Sequence, residues 1–201
     1  MPKIPASNLS PFQAHVKAWE KCTKCSLCQG RNQVVFARGK IPCEVLFIGE
    51  APGKSENILG APFVGPAGSL LDMIIERALE QSEKPKLRIA LTNLVACIPK
   101  SDNDEKLPEP PKEAIEACSP RLKQFVRLCK PRLIILTGQL PRKHISGEAQ
   151  FGCDWLPRGQ SLEFCELTHP AAILRMQPVK KSFETKRAIV ILSQAFRNLK
   201  C

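Results

Sequence analysis

Four short apolar runs punctuate the chain. Residues 44–49 (EVLFIG), 88–95 (RIALTNLV), 133–137 (LIILT) and 162–167 (LEFCEL) are short apolar runs, the first three rich in β-branched side chains, which predicts strands. Around them, residues 12–20, 68–81, 112–129 and 181–199 carry apolar positions every three to four residues, which predicts helices. Apolar strands alternating with amphipathic helices are the mark of an α/β fold, a mostly parallel sheet covered on both faces in a three-layer αβα arrangement. Ligands of such sheets bind beyond the carboxyl ends of the strands. The turns found there are Gly49-Glu50-Ala51-Pro52-Gly53 after the first run, Thr92-Asn93 late in the second and Thr168-His169-Pro170 after the fourth. A carboxylate, an amide and an imidazole are thereby expected on one edge. The proline-rich, charged stretch 99–113 reads as an exposed loop.

A length of 201 residues with 43% hydrophobic content is enough for a sizeable core, and a single domain over residues 1–201 is the simplest expectation, with 1–10 as a flexible N-terminal segment. Thirty Lys and Arg against 19 Asp and Glu leave a net charge of +11, which favours a polyanionic partner, nucleic acid before membrane. The N-terminal stretch has no apolar core of a leader peptide and no segment approaches the length of a bilayer span, so the expected location is cytoplasmic, nucleoid-associated when bound to DNA.

Gly53-Lys54-Ser55 resembles the end of a phosphate-binding P-loop, but only three residues separate it from Gly49 where four are required. Pro52 lacks an N–H, and Glu50 would oppose an anion, so a nucleotide triphosphatase is disfavoured. No acidic metal pair of a nuclease is evident.

Ten cysteines in a reducing compartment do not read as a disulfide framework. Cys22 and Cys25 have the Cys-x-x-Cys spacing that brings two thiolates to one metal, and Cys28 follows. Cys97, past the second strand, and Cys118, in the following helix, could complete a set of four for zinc or an iron-sulfur cluster, or could be small buried hydrophobes.

The segments "CTKCSLCQGR", "GEAPGKSENILGAPFVGPAGSLLD", "LTNLVACIP", "EACSPRL" and "LTHPAAILR", in this order, resemble the family 4 uracil-DNA glycosylases from about residue 20 to about residue 180. The resemblance implies a four-stranded parallel sheet between helices and a 4Fe-4S cluster on Cys22, Cys25, Cys97 and Cys118, with no ligand role for Cys28. It also implies a monofunctional enzyme that acts as a monomer on uracil-containing DNA, hydrolysing the N-glycosidic bond of deoxyuridine. Such an enzyme must extrude the base, grip it and stabilise the charges that form as the bond breaks. The resemblance gives Phe63 the stacking role on uracil and Asn93 the reading of its polar edge, with Gly49 and Ala51 beside the base. His169 would hydrogen-bond the departing base, and Glu50 would position the attacking water. Read without the family, Phe63 could be a core residue, Asn93 a turn cap and His169 a structural histidine.

Gly65, Ala67, Gly68 and Ser69 open a helix whose free N–H groups suit a phosphate. Leu174 suits a wedge into the gap left by the flipped base, with Arg175 on the DNA backbone, or the pair is a buried leucine and a solvated arginine. The basic residues Arg121, Lys123, Arg127, Lys130 and Arg132, and Lys180, Lys181, Lys186 and Arg187, are either phosphate contacts or solvated helix faces. Two positions depart from the family pattern: Asn57 replaces an acidic residue and Ala171 a serine. A branch that traps uracil covalently needs a histidine between the third and fourth cluster cysteines, and this chain has histidines only at 15, 144 and 169. The rival of a different class is a non-catalytic uracil- or DNA-binding module of the same fold, acting as a replication or polymerase accessory.

Overall fold

The computed structural model describes residues 9–100, 107–145 and 162–199. The segment 1–10 therefore falls almost wholly outside the described residues, as does the middle of the proline-rich stretch.

The four expected strands form one parallel sheet. They are β2 (Val45–Gly49), β3 (Ile89–Asn93), β4 (Leu133–Thr137) and β5 (Glu163–Leu167). A short strand, β1 (Ala37–Gly39), joins the edge antiparallel to β3, so the sheet has five strands in the order β1-β3-β2-β4-β5 rather than the four of the family expectation. Three residues are too few to show a period of two, which is why this strand left no trace in the hydrophobic pattern.

Alternation along the central strands sorts the core into two layers. Leu46 and Ile48 of β2, with Ile134 and Leu136 of β4, face a cluster containing Trp19, Ile115, Leu122 and Phe125. These last residues belong to α1 (Pro11–Trp19) and α4 (Lys112–Cys129). Val45 and Phe47, with Leu133 and Ile135, face Leu71, Ile74, Ile173, Leu192 and Phe196. The covering helices on that side are α3 (Pro66–Ser82), α6 (Pro170–Leu174) and α7 (Pro178–Asn198). Two further short helices escaped the periodicity reading, α2 (Lys54–Leu59) and α5 (Gln139–Ile145), because neither is long enough to repeat an apolar face. Among the described residues no helix is long and apolar enough to cross a membrane.

Candidate active site

Strand β2 ends at Gly49, and groups from separate loops meet over it. A methyl group built on Gly49 would overlap the Phe63 ring and stand 2.5 Å from Asn93 Oδ1, so the approach of both side chains requires glycine. The Phe63 ring lies beside the His169 imidazole, with centroids 6.4 Å apart and planes inclined by 29°. Phe63 is thus both a buried core residue and a wall shared by the amide and the imidazole. Glu50 and Ala51 follow Gly49 directly and are half-buried. Backbone bonds from Leu94 N–H to the Gly49 carbonyl (2.8 Å) and from Val95 N–H to the Glu50 carbonyl (3.2 Å) hold the β2 turn against the end of β3.

The loop carrying Phe63 is held in an unfavourable conformation. Phe63 has φ of 56°, in the left-handed region that a bulky residue occupies only when its surroundings dictate it. Glu56 is the first such constraint: its buried carboxylate accepts N–H bonds from Gly53 (3.0 Å), Val64 (2.9 Å) and Gly65 (2.9 Å). Arg38 on β1 is the second, donating to the Pro62 carbonyl (2.8 Å) and the Phe63 carbonyl (3.2 Å) while pairing with Asp72 of α3 at 2.5 Å. The third is Gly68, where any Cβ would collide with the Phe63 carbonyl. Gly68 is buried for that reason, whereas Ser69 is exposed and Gly65 and Ala67 are half-buried. The Gly65 cap supplies no side-chain acceptor to the first turn of α3.

His169 caps α6. Its Nδ1 accepts the Ala171 N–H at 3.2 Å, so the neutral ring carries its proton on Nε2. Burial, and then the charge of Arg175, push its pKa down to about 4 against the opposing carboxylate of Glu56, so the imidazole is neutral at physiological pH. Leu174, at the end of α6, is half-buried and Arg175 is exposed.

On the other face of the sheet Cys22, Cys25, Cys97 and Cys118 line a single hollow of about 320 Å³, open to solvent, together with Trp19, Arg31 and Arg121. All four are free thiols. Among the described residues no three His, Cys, Asp or Glu side chains stand together as a ready-made site for a single ion. Four thiols around a hollow suit a group in which each sulfur has its own iron. Arg31 Nη1 lies 3.5 Å from Cys97 Sγ, and Arg121 Nε lies 3.3 Å from Cys118 Sγ, placing two cations beside sulfurs that would become anionic on binding iron. Burial pushes the Cys97 thiol up to about 11 despite Arg31, and raises that of Cys25.

Comparison with known proteins accords with this geometry. Residues 36–192 match the model of the uracil DNA glycosylase superfamily. The chain is 33% identical over 175 residues to a type-4 uracil-DNA glycosylase of Saccharolobus solfataricus, covering 82% of this chain and 77% of that protein. A type-4 uracil-DNA glycosylase of Pyrobaculum aerophilum is 33% identical over 181 residues, covering 85% and 88%. The crystal structure of wild-type SMUG2 from Pedobacter heparinus superposes with a TM-score of 0.56 at 15% identity over 76% of each chain, a likeness of fold. The chain belongs to the uracil-DNA glycosylase superfamily and, within it, to the type-4 enzymes.

Asn57 and Ala171, the two positions expected to depart from the family pattern, each have a local role. Asn57 is buried and its Oδ1 accepts the Asn32 N–H at 2.9 Å, tying the loop after the Cys-x-x-Cys segment to α2. Ala171 serves His169 through its backbone N–H, which a change of side chain leaves in place.

Two residues that shape this glycosylase site, Glu56 and Arg38, had no role assigned from the sequence, and a third, Arg121, was read differently. Glu56 stands three residues after the Gly53 turn, the spacing of a capping box, and that signal was available. Arg38 lies on the strand too short to recognise. Arg121 corrects the reading of α4 as a solvated basic face: it is 1% exposed. It shares the helix stripe of Ala114, Cys118 and Phe125, where a charge is out of place unless it has buried partners.

Proposed function

We propose that this chain hydrolyses the N-glycosidic bond of deoxyuridine in DNA, releasing uracil and leaving an abasic site, without cleaving the strand. The observation that carries the reading is the convergence of Asn93, Phe63 and neutral His169 at the end of β2, next to Glu50. Phe63 stacks on the extruded ring, and the Asn93 amide, able both to donate and to accept, pairs with the polar edge of uracil. Cytosine presents the opposite pattern to an amide whose orientation is fixed. As the bond breaks, its electrons leave with the base as an anion, and the Nε2–H of His169 donates to the uracil oxygen where that charge gathers. The Glu50 carboxylate offsets the cationic sugar and orients the water that adds to its anomeric carbon.

The net charge of +11 supports association with DNA phosphates. In this reading the N–H groups of Ala67 and Gly68 at the opening of α3 take a phosphate flanking the lesion, with Gly65 and Ser69 beside it. Leu174 fills the gap in the stack, and Arg175 contacts the strand. Cys22, Cys25, Cys97 and Cys118 would hold a 4Fe-4S cluster whose contribution when bound is structural, joining the segment after α1 to α4 and to the loop after β3. The enzyme acts as a single-domain monomer on intracellular DNA.

Uracil excision from labelled single- and double-stranded oligonucleotides by anaerobically purified protein, with Glu50→Ala alongside, tests the reading. Abasic product from the wild type and little from the variant is expected. No product from protein with an intact cluster spectrum would transfer the proposal to the non-catalytic binding module.

A further inference from the structure

The guanidinium of Arg121 is almost fully enclosed and touches both functional regions. Its Nη2 donates to the Asn93 carbonyl at 2.6 Å and to the Leu94 carbonyl at 3.2 Å. Nη1 donates to Thr92 Oγ1 at 3.3 Å, and that hydroxyl passes its own proton to the Phe36 carbonyl at 2.7 Å. Nε points to Cys118 Sγ at 3.3 Å. One planar cation therefore grips three consecutive residues at the end of β3 and a sulfur of the cysteine hollow.

The grip falls where the sheet stops holding the chain. Asn93 is the last residue of β3, and past it the chain is tied to the β2 turn by Leu94 N–H to the Gly49 carbonyl and, more loosely, by Val95 N–H to the Glu50 carbonyl. Arg121 binds the carbonyls on either side of the Leu94 N–H. The Thr92–Asn93 peptide is held by pairing with β2 and the Asn93–Leu94 peptide by Arg121 together with the Leu94 N–H bond, so the Cα–Cβ direction of Asn93 is fixed and its amide stands over Gly49. Burying a guanidinium is costly unless its donors are met, and four donor contacts meet that requirement here.

We propose that Arg121 is the positioning residue for uracil recognition: it sets the orientation of the Asn93 amide and anchors it to the Cys118 corner, so that discrimination between uracil and cytosine depends on a residue that touches neither base. The inference rests on the reading of Asn93 as the uracil-contacting residue and on the cysteines as ligands.

The test uses holoprotein carrying Arg121→Met, which keeps an apolar stem and removes every donor, and Arg121→Lys, whose single nitrogen cannot serve both carbonyls, the hydroxyl and the sulfur together. Iron per chain, visible absorption and thermal unfolding are recorded for each. Equilibrium affinity is then measured for DNAs that differ only in one non-hydrolysable nucleotide, 2′-fluoro-deoxyuridine or 2′-fluoro-deoxycytidine. For folded Arg121→Met, the uracil-over-cytosine preference is expected to fall by about tenfold or more, as for a polar reader displaced by a fraction of an ångström. Affinity for undamaged DNA stays unchanged, and Arg121→Lys recovers part of the preference. A preference within about twofold of wild type in Arg121→Met overturns the proposal, since a tenfold effect corresponds to about 1.4 kcal/mol. Should Arg121→Met fail to fold, Arg121→Lys decides by the same measurement, with wild-type preference overturning the proposal and partial loss supporting it. Wild-type iron content reports on the cluster and wild-type product formation on the reaction, so failure of either is distinguishable from failure of the Arg121 assignment.

Discussion

The base pocket and the cysteine corner lie on opposite faces of the same sheet edge, and they are built on opposite plans. In the pocket the polypeptide finishes the site by itself. Phe63 is held at positive φ by Glu56, Arg38 and the absent side chain of Gly68, and His169 is locked into one tautomer by a backbone N–H. The corner is the reverse: burial raises the pKa of the Cys97 and Cys25 thiols, and Arg31 and Arg121 stand beside the Cys97 and Cys118 sulfurs, which would become anionic on binding iron. Chemistry that depends on angles of a few degrees is prepared in advance. In the proposed reading the corner would be a structural tie completed by its metal, because metal binding and folding share one free energy.

The largest effect that would break this contrast lies in the pocket. His169→Ala is expected to lower single-turnover excision by about 10²–10³-fold, as for loss of one donor to a developing anion. Affinity for uracil-containing DNA should change far less, because the bond strengthens only as the anion forms. Equal losses in rate and affinity would remove His169 from that role.

Next comes Gly49→Ala, which drives a methyl group into Phe63 and Asn93 and should reduce excision about 100-fold through misplacement alone. Its iron content should match wild type. Excision at the wild-type rate would show that the crowding over Gly49 is not what prepares the site.

Cys97→Ala sharpens the other half. Iron should be lost and the unfolding temperature should drop, by roughly 2–4 °C for each kcal/mol of stability in a chain of this size. Excision should fall less than in Gly49→Ala, since the pocket has its own supports. An iron-free variant that folds and excises as wild type would refute a structural role for the cluster.

The smallest effect is in pH dependence. With pKa values near 4, neither His169 nor His15 is more than about a tenth protonated at pH 5.5, so no activity step near pH 6.5 should arise from them. Both pKa values lie below the unfolded value of 6.5. Their contribution to stability is therefore complete above pH 6.5 and is lost as pH falls from 6.5 toward 4. An inflection in the excision profile near pH 6.5 that disappears in His169→Ala would place that imidazole in a more solvated setting than the one described.

Long periodic elements were readable from the chain because burial imposes a period on them: β4 and α4 begin and end where the pattern placed them, and α3 and α7 differ only at their ends. Elements too short to repeat a buried face, β1, α2, α5 and α6, were not. The pocket residues Glu50, Phe63, Asn93 and His169 were singled out because they stand in motifs of local sequence. Their supports were harder to find. Arg38 acts from a three-residue edge strand onto a loop 25 residues away, and Arg121 reaches back 28 residues to Asn93.

By itself, then, the order of residues determined the α/β architecture and the Cys22/Cys25 pairing, since each depends on local spacing and hydrophobic period, while the wider cysteine set and the candidate site residues came from the family resemblance. Only the tertiary structure decided that Arg121 is buried rather than solvated, that Glu56 organises a loop, and that Phe63 serves both core and pocket. The physical reason is common to all three. The role of a polar or strained residue is set by its partners, and those partners are brought to it by packing between segments that the sequence keeps far apart.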